Sequence, residues 1–178
     1  SVDTTNGAAL FLDPLTVNLS FTNVSSTNSG SNGITLDTVA GQLNIGTATI
    51  TNATADGVNV SNSTASVTAL QLNVDGAVNG VNLLNNSAGS FTVAGIGGAG
   101  AGGVIKNVSD RGVLAVNNFS TLLNNMNIDA TNGSRGVGIL STSGTNTFLL
   151  TNSVVTGGTE QAVGIGADLT GVLNAMVS

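Results

Sequence analysis

Apolar residues along this chain alternate with polar ones in short bursts, and the bursts return at a fixed interval. A glycine followed by alternating apolar positions recurs at Gly33-Ile34-Thr35-Leu36, Gly57-Val58-Asn59-Val60, Gly80-Val81-Asn82-Leu83, Gly112-Val113-Leu114-Ala115 and Gly136-Val137-Gly138-Ile139. Weaker forms stand at Gly7-Ala8-Ala9-Leu10 and Ala162-Val163-Gly164-Ile165. Counted from Gly7, the gaps are 26, 24, 23, 32, 24 and 26 residues. Alternation with a period of two marks strands, and a fixed repeat of about two dozen residues marks stacked units.

Each unit carries two further alternating segments between Asn, Gly, Ser and Asp turns. In the unit opened by Gly33 these hold Leu43 with Ile45 and Ala48 with Ile50; one unit later the equivalents are Val67, Ala69, Leu72 and Val74. Later units offer Phe91 with Val93 and Ile105, then Leu122, Met126 and Ile128, then Phe148, Leu150 and Val155. Three short strands cannot bury an apolar face alone, whereas coils stacked at the strand spacing of ~4.8 Å can. The expected fold is therefore an all-β parallel solenoid of about seven coils, each of 23–26 residues with three short strands, in a single domain over 1–178 and roughly 34 Å long. Ile34, Val58, Val81, Val113 and Val137 are predicted to stack in one inward column, and Ile50, Val74, Ile105, Ile128 and Val155 in another. The 32-residue gap holds the Gly-rich run 94–103, expected to leave the solenoid as a loop between second and third strands.

The Gly-(Ile/Val)-x-(Val/Leu/Ile) opening, the coil length and the Asn-rich corners at Asn52, Asn85-Asn86, Asn117-Asn118 and Asn124-Asn125 resemble the right-handed parallel β-helix proteins. That broad group includes pectate-lyase-like enzymes, autotransporter passenger domains and phage tailspikes. The resemblance, which implies the right-handed winding, is closest to passenger or fibre-type surface proteins, and its motif brings no catalytic residue with it.

Composition narrows the function. Of 178 residues, 24 are Asn, 23 Thr, 18 Ser and 25 Gly, while only 7% are charged and there is no Cys, His, Trp or Tyr. Without Cys and His the chain lacks thiol nucleophiles, disulfides, the usual general base and the commonest transition-metal ligands. Three basic residues, Lys106, Arg111 and Arg135, against a net charge of −6 cannot neutralise a nucleic-acid backbone. No apolar run reaches the length of a membrane-spanning helix. Gly98 to Gly103 fits the spacing of a dinucleotide fingerprint but lacks the helix that would follow it. The run Thr47, Thr49, Thr51 faces Gln71, Asn73 and Asp75 one coil on, so no flat Thr array forms.

Asp37, Asp56, Asp75, Asp110 and Asp129 fall at scattered coil positions; Asp75 and Asp129 share one, two coils apart. Arg111 and Arg135 both precede a rung-opening glycine, which puts them on neighbouring coils beside Asp110. Lys106, Asp110, Arg111 and Arg135 are thus the candidate ligand-binding group, suited to an anionic sugar; no catalytic, metal or cofactor site is expected. All five Phe residues fall on or beside apolar strand positions and are expected in the core. The nine Asn-x-Ser/Thr triplets stand against roughly five or six expected by chance, an excess that the habit of placing Asn beside hydroxyls in turns explains, and they carry no inference of glycosylation. The expectation is a non-catalytic structural or adhesive module of a bacterial extracellular fibre or autotransporter-like surface protein. Its partners would be further coils, of its own chain or of copies stacked end to end, or a surface glycan. A carbohydrate-binding or polysaccharide-degrading β-helix is the alternative.

Overall fold

The computed structural model describes residues 1–168 and 170–178. Its strands are β1 (Val2–Thr5), β2 (Leu10–Leu12), β3 (Leu15–Thr27), β4 (Ile34–Asp37), β5 (Val39–Thr51), β6 (Val58–Ser61), β7 (Ser66–Leu84) and β8 (Ser90–Val93). They continue with β9 (Gly103–Val116), β10 (Ser120–Asn124), β11 (Met126–Ala130), β12 (Arg135–Ser141), β13 (Thr145–Thr151), β14 (Val154–Gly157), β15 (Gln161–Ala167) and β16 (Val172–Val177). Every pairing is parallel and joins a segment to its equivalent one coil on. The chain is a parallel β-solenoid of about seven coils, with no helix among the described residues.

Three faces wrap one apolar core. On the first face Leu10, Ile34, Val58, Val81, Val113, Val137 and Val163 pair in succession. On the third, Ile50, Val74, Ile105, Ile128 and Val155 do the same. Both predicted columns are therefore present, and all of these residues are buried except Val155 and Val163, which are partly so. The separation of three strands per coil is less sharp than the sequence implied. In the early coils second and third segments run together as β3, β5 and β7, because the chain bends there without leaving the ladder. Left-handed Asn125 and Asn152 break the later coils at this corner.

The recurring glycine has a packing reason. A Cβ on Gly80 would fall 2.5 Å from the carbonyl oxygen of Gly112, and also against the Ile105 side chain. Gly33, Gly57, Gly112 and Gly136 repeat the pattern against Ile50, Val74, Ile128 and Val155. A file of bare backbone on one face thus receives the branched column of another.

Two register expectations need correction. The first rung opens at Ala9, whose N–H donates to Gly33 O, and not at Gly7, so the first interval is 24 residues. In the coil of β10, Thr121 and Leu123 are fully buried and pair with Phe91 and Val93, while Leu122 faces outward opposite Thr92. A leucine pair at 122–123 reads equally well in either register, and a one-residue slip exchanges the two faces.

The Asn-rich corners turn in the left-handed region. Asn62, Asn85 and Asn117 follow one another along one edge with φ of 51°, 54° and 49°, and Asn6, Asn28 and Asn52 along another with φ of 64°, 56° and 53°. Their N–H groups donate to carbonyls one coil on, as from Asn85 to Val116 and Asn117 to Leu140. Asn adopts this conformation at lower cost than other non-glycine residues. Residues 94–102 lie outside the strands between β8 and β9, with both stems held: Asn124 donates to Ala94 O, and Leu72 N–H to Gly102 O.

Candidate functional site

The outer side of the first face carries two of the three basic residues of the chain, Arg111 and Arg135. Asn79, Arg111, Arg135 and Gln161 occupy one outward position on four successive coils. The next outward position runs Thr35, Asn59, Asn82, Leu114, Gly138, Gly164. It loses its side chain where the arginines need room. A Cβ on Gly138 would stand 3.2 Å from Cδ of Arg111, and one on Gly164 would stand 3.3 Å from Cδ of Arg135. Each guanidinium stem therefore lies across a glycine of the following coil, and each Nε is shut off from solvent without an acceptor.

One outer nitrogen of each guanidinium is engaged. Arg111 Nη1 donates to Asp110 Oδ2 at 2.5 Å, and Arg135 Nη2 donates to Glu160 Oε2 at 2.7 Å. Ser134 Oγ donates to Asp110 Oδ1 at 2.5 Å, which fixes that carboxylate against the coil above it. Beside the arginines runs a shallow groove of about 460 Å³ with Leu114, Val116 and Leu140 along one side and Gln161 at one end. Two cations and two anions at its edge leave the groove nearly neutral. It can donate to a carboxylate and accept from hydroxyls.

Of the four sequence-predicted residues, Arg111, Arg135 and Asp110 come together and Lys106 does not. Lys106 stands on the third face, with Nζ 3.1 Å from Asp75 Oδ2. By register it occupies the coil position between Asp75 and Asp129. The residues that counting motifs missed are Glu160 and Gln161. Aligning the coils would have found them, because the pair before each rung opening reads Asp110-Arg111, Ser134-Arg135 and Glu160-Gln161.

The expectation for phenylalanine holds for Phe91 and Phe148, which are buried, and Phe21 is partly buried, but Phe11 and Phe119 are 70% and 49% exposed. Phe11 sits between Leu10 and Leu12, so alternation alone sends it outward. Phe119 follows the Asn117-Asn118 corner and borders a second groove of about 390 Å³ with Asn85, Asn117, Ser143 and Thr145.

Hydrogen bonds hold three half-buried carboxylates low. Donation from Asn62 and then Ser61 holds Asp37 below its ordinary value of 3.8. Asn107 and then Lys106 do the same for Asp75, and the Thr131 hydroxyl followed by its N–H for Asp129. A folded-state pKa below the unfolded value adds stability that is complete above the unfolded value and is lost as pH falls through the folded one. The thermal midpoint is thus expected to be flat from about pH 7 to 5 and to fall below about pH 4. Asp75→Asn should make that acid decline shallower, and calorimetry across the range checks both.

Comparison with protein-family models, with curated proteins and with solved structures gives no match.

Proposed function

We propose that this chain is a non-catalytic structural or adhesive module of a bacterial extracellular fibre or autotransporter-like surface protein, and that it works by holding a long uncharged polar surface rigidly in place. The observation that carries the reading is a stack of about seven coils held residue over residue by parallel ladders around one apolar core, in a chain with 24 Asn, 23 Thr and 18 Ser and only 7% charged residues. Such a stack is stiff along its length and shows uncharged polar groups on its outer faces.

Electron microscopy of the purified chain tests the stacking of copies. The expected result at high concentration is thin filaments with an axial repeat near the ~34 Å that seven strand spacings span. A monodisperse monomer under the same conditions would count against end-to-end assembly.

The Arg111–Arg135 groove supports a second reading, in which the outer face holds an acidic glycan. Loss of saturable binding to such a glycan on substituting Ala at both arginines would favour it, and unchanged binding would remove it.

A further inference from the structure

The groove beside Phe119 lies at the corner between the first and second faces and spans three coils. The corner of the first of these coils, 85–89, has five residues, where those of the next two, 117–119 and 142–144, have three. The longer corner lines one side, Ser143 to Asn146 line the other, and Phe119 stands on the coil between. At about 390 Å³ the groove falls within the range of small-molecule sites, and no residue lining it is charged.

Phe119 is anchored to the coils on both sides. Its N–H donates to Asn86 O and its carbonyl accepts from Thr147 N–H, both at 2.9 Å. Asn117 fixes the following corner: its Oδ1 accepts from Thr142 N–H at 2.8 Å, and its Nδ2 donates to Thr142 Oγ1 at 2.9 Å. The ring itself serves no ladder. Its register position holds Ala65, Gly89, Phe119 and Asn146 on four successive coils, and the ring is half-exposed.

The polar groups around it divide into two sets. Asn86, Asn118 and Asn146 are buried and bonded into the corner, as where Asn86 Nδ2 donates to Asn118 Oδ1 at 2.9 Å and Asn146 Nδ2 to Ser143 O at 3.1 Å. At the rim, Asn85, Ser87, Ser143 and Thr145 are exposed, and none of the described residues engages the three hydroxyls or the Asn85 Nδ2.

A pyranose has an apolar face of C–H groups, drawn to the negative face of an aromatic ring, and a perimeter of hydroxyls that both donate and accept. We infer that Phe119 with the rim of Asn85, Ser87, Ser143 and Thr145 forms a binding site for a neutral saccharide, with one sugar ring stacked on Phe119. An anionic ligand would lose its water with no cation in the lining to replace it. An apolar side chain of a peptide would cover the rim hydroxyls without satisfying them. The groove shares no lining residue with the arginine groove, and the inference does not rest on the acidic-glycan reading of that face.

The chain has no tryptophan, so Phe119→Trp puts a single fluorophore at the site while keeping an aromatic face. Titrating that variant with neutral trisaccharides of glucose, galactose, mannose and N-acetylglucosamine should give a saturable emission change with at least one of them, at a dissociation constant of about 0.1–10 mM for so shallow a groove. Phe11→Trp, exposed on the first coil, should give none. Calorimetric titration of the parent chain with the same sugar should show Phe119→Leu, which keeps apolar bulk without a ring, weakening binding about fivefold or more. Ser143→Ala should weaken it about threefold. The thermal midpoint of Phe119→Leu should stay within about 2 °C of the parent, which separates lost binding from lost fold. Arg111→Ala with Arg135→Ala should leave binding unchanged; a loss there would move the sugar to the other groove and overturn the inference. No saturable change with any of the sugars by about 50 mM overturns it, as does a Phe119→Leu variant that binds as the parent does. Self-association that Phe119→Leu abolishes, in a chain that binds none of the sugars, would make the ring a contact between copies and overturn it as well.

Discussion

Gly80→Ala is expected to destabilise the solenoid by about 3 kcal/mol, the upper end of what overpacking costs, because little around the new methyl can yield. Its Cβ would press on the Ile105 side chain and stand 2.5 Å from Gly112 O, and that carbonyl belongs to the next coil's backbone. Gly80 and its neighbours Val81 and Leu83 are all buried inside β7, so a backbone shift would disturb the first-face column from Val58 to Val113. In a chain of this size the thermal midpoint should fall by roughly 6–12 °C. Thermal unfolding followed by circular dichroism measures it; a change of less than about 2 °C would show that the glycine file is not tightly packed.

The second large effect falls on the other side of the same contact. Ile105 is fully buried between Val74 and Ile128 in the third-face column. Truncation to Ala should cost about 2–5 kcal/mol, since the paired coils on both sides limit collapse into the space left. The two substitutions are expected to be non-additive. Ile105→Ala removes the side-chain half of the Gly80 clash and leaves the Gly112 carbonyl half, so the double variant should be more stable than two independent losses imply, by about 1 kcal/mol. Additivity within error in denaturant titrations would mean that the two residues do not touch.

How legible this was in the sequence differed by feature. The columns through Val81 and Ile105 could be read directly, because a period-2 pattern repeated at coil spacing leaves one inward choice for β-branched residues. The glycine could be read as a repeat marker, but its purpose could not, since the side chain that it admits comes from another segment of the coil. Leu122 and Leu123 were ambiguous because both are apolar; only the pairing with Thr92 and Val93 decides. Phe119 was misplaced because an asparagine corner precedes it and resets which face it meets. On the surface, the in-register arginines were visible as two residues each before a rung opening. Lys106 needed the coil alignment to reveal that it stands in line with Asp75 and Asp129 instead. The burial of Asp56 under the Asn79 and Asn82 amides was invisible, since nothing in a string of Asn residues says which side chains are enclosed.

The central claim is that successive coils lie in register, residue over residue. The chain has no cysteine, so engineered pairs report register without interference. Thr49 and Asn73 are direct partners on neighbouring coils, at a strand spacing of ~4.8 Å, within the Cα range that a disulfide spans. Thr49 and Gln71 are offset by two residues and stand ~8 Å apart, beyond that range. Under mild oxidation, Thr49→Cys with Asn73→Cys should close an intramolecular disulfide nearly completely while Thr49→Cys with Gln71→Cys should not. Efficient closure of the offset pair with failure of the direct one would contradict the register on which the columns, the glycine file and the arginine groove depend.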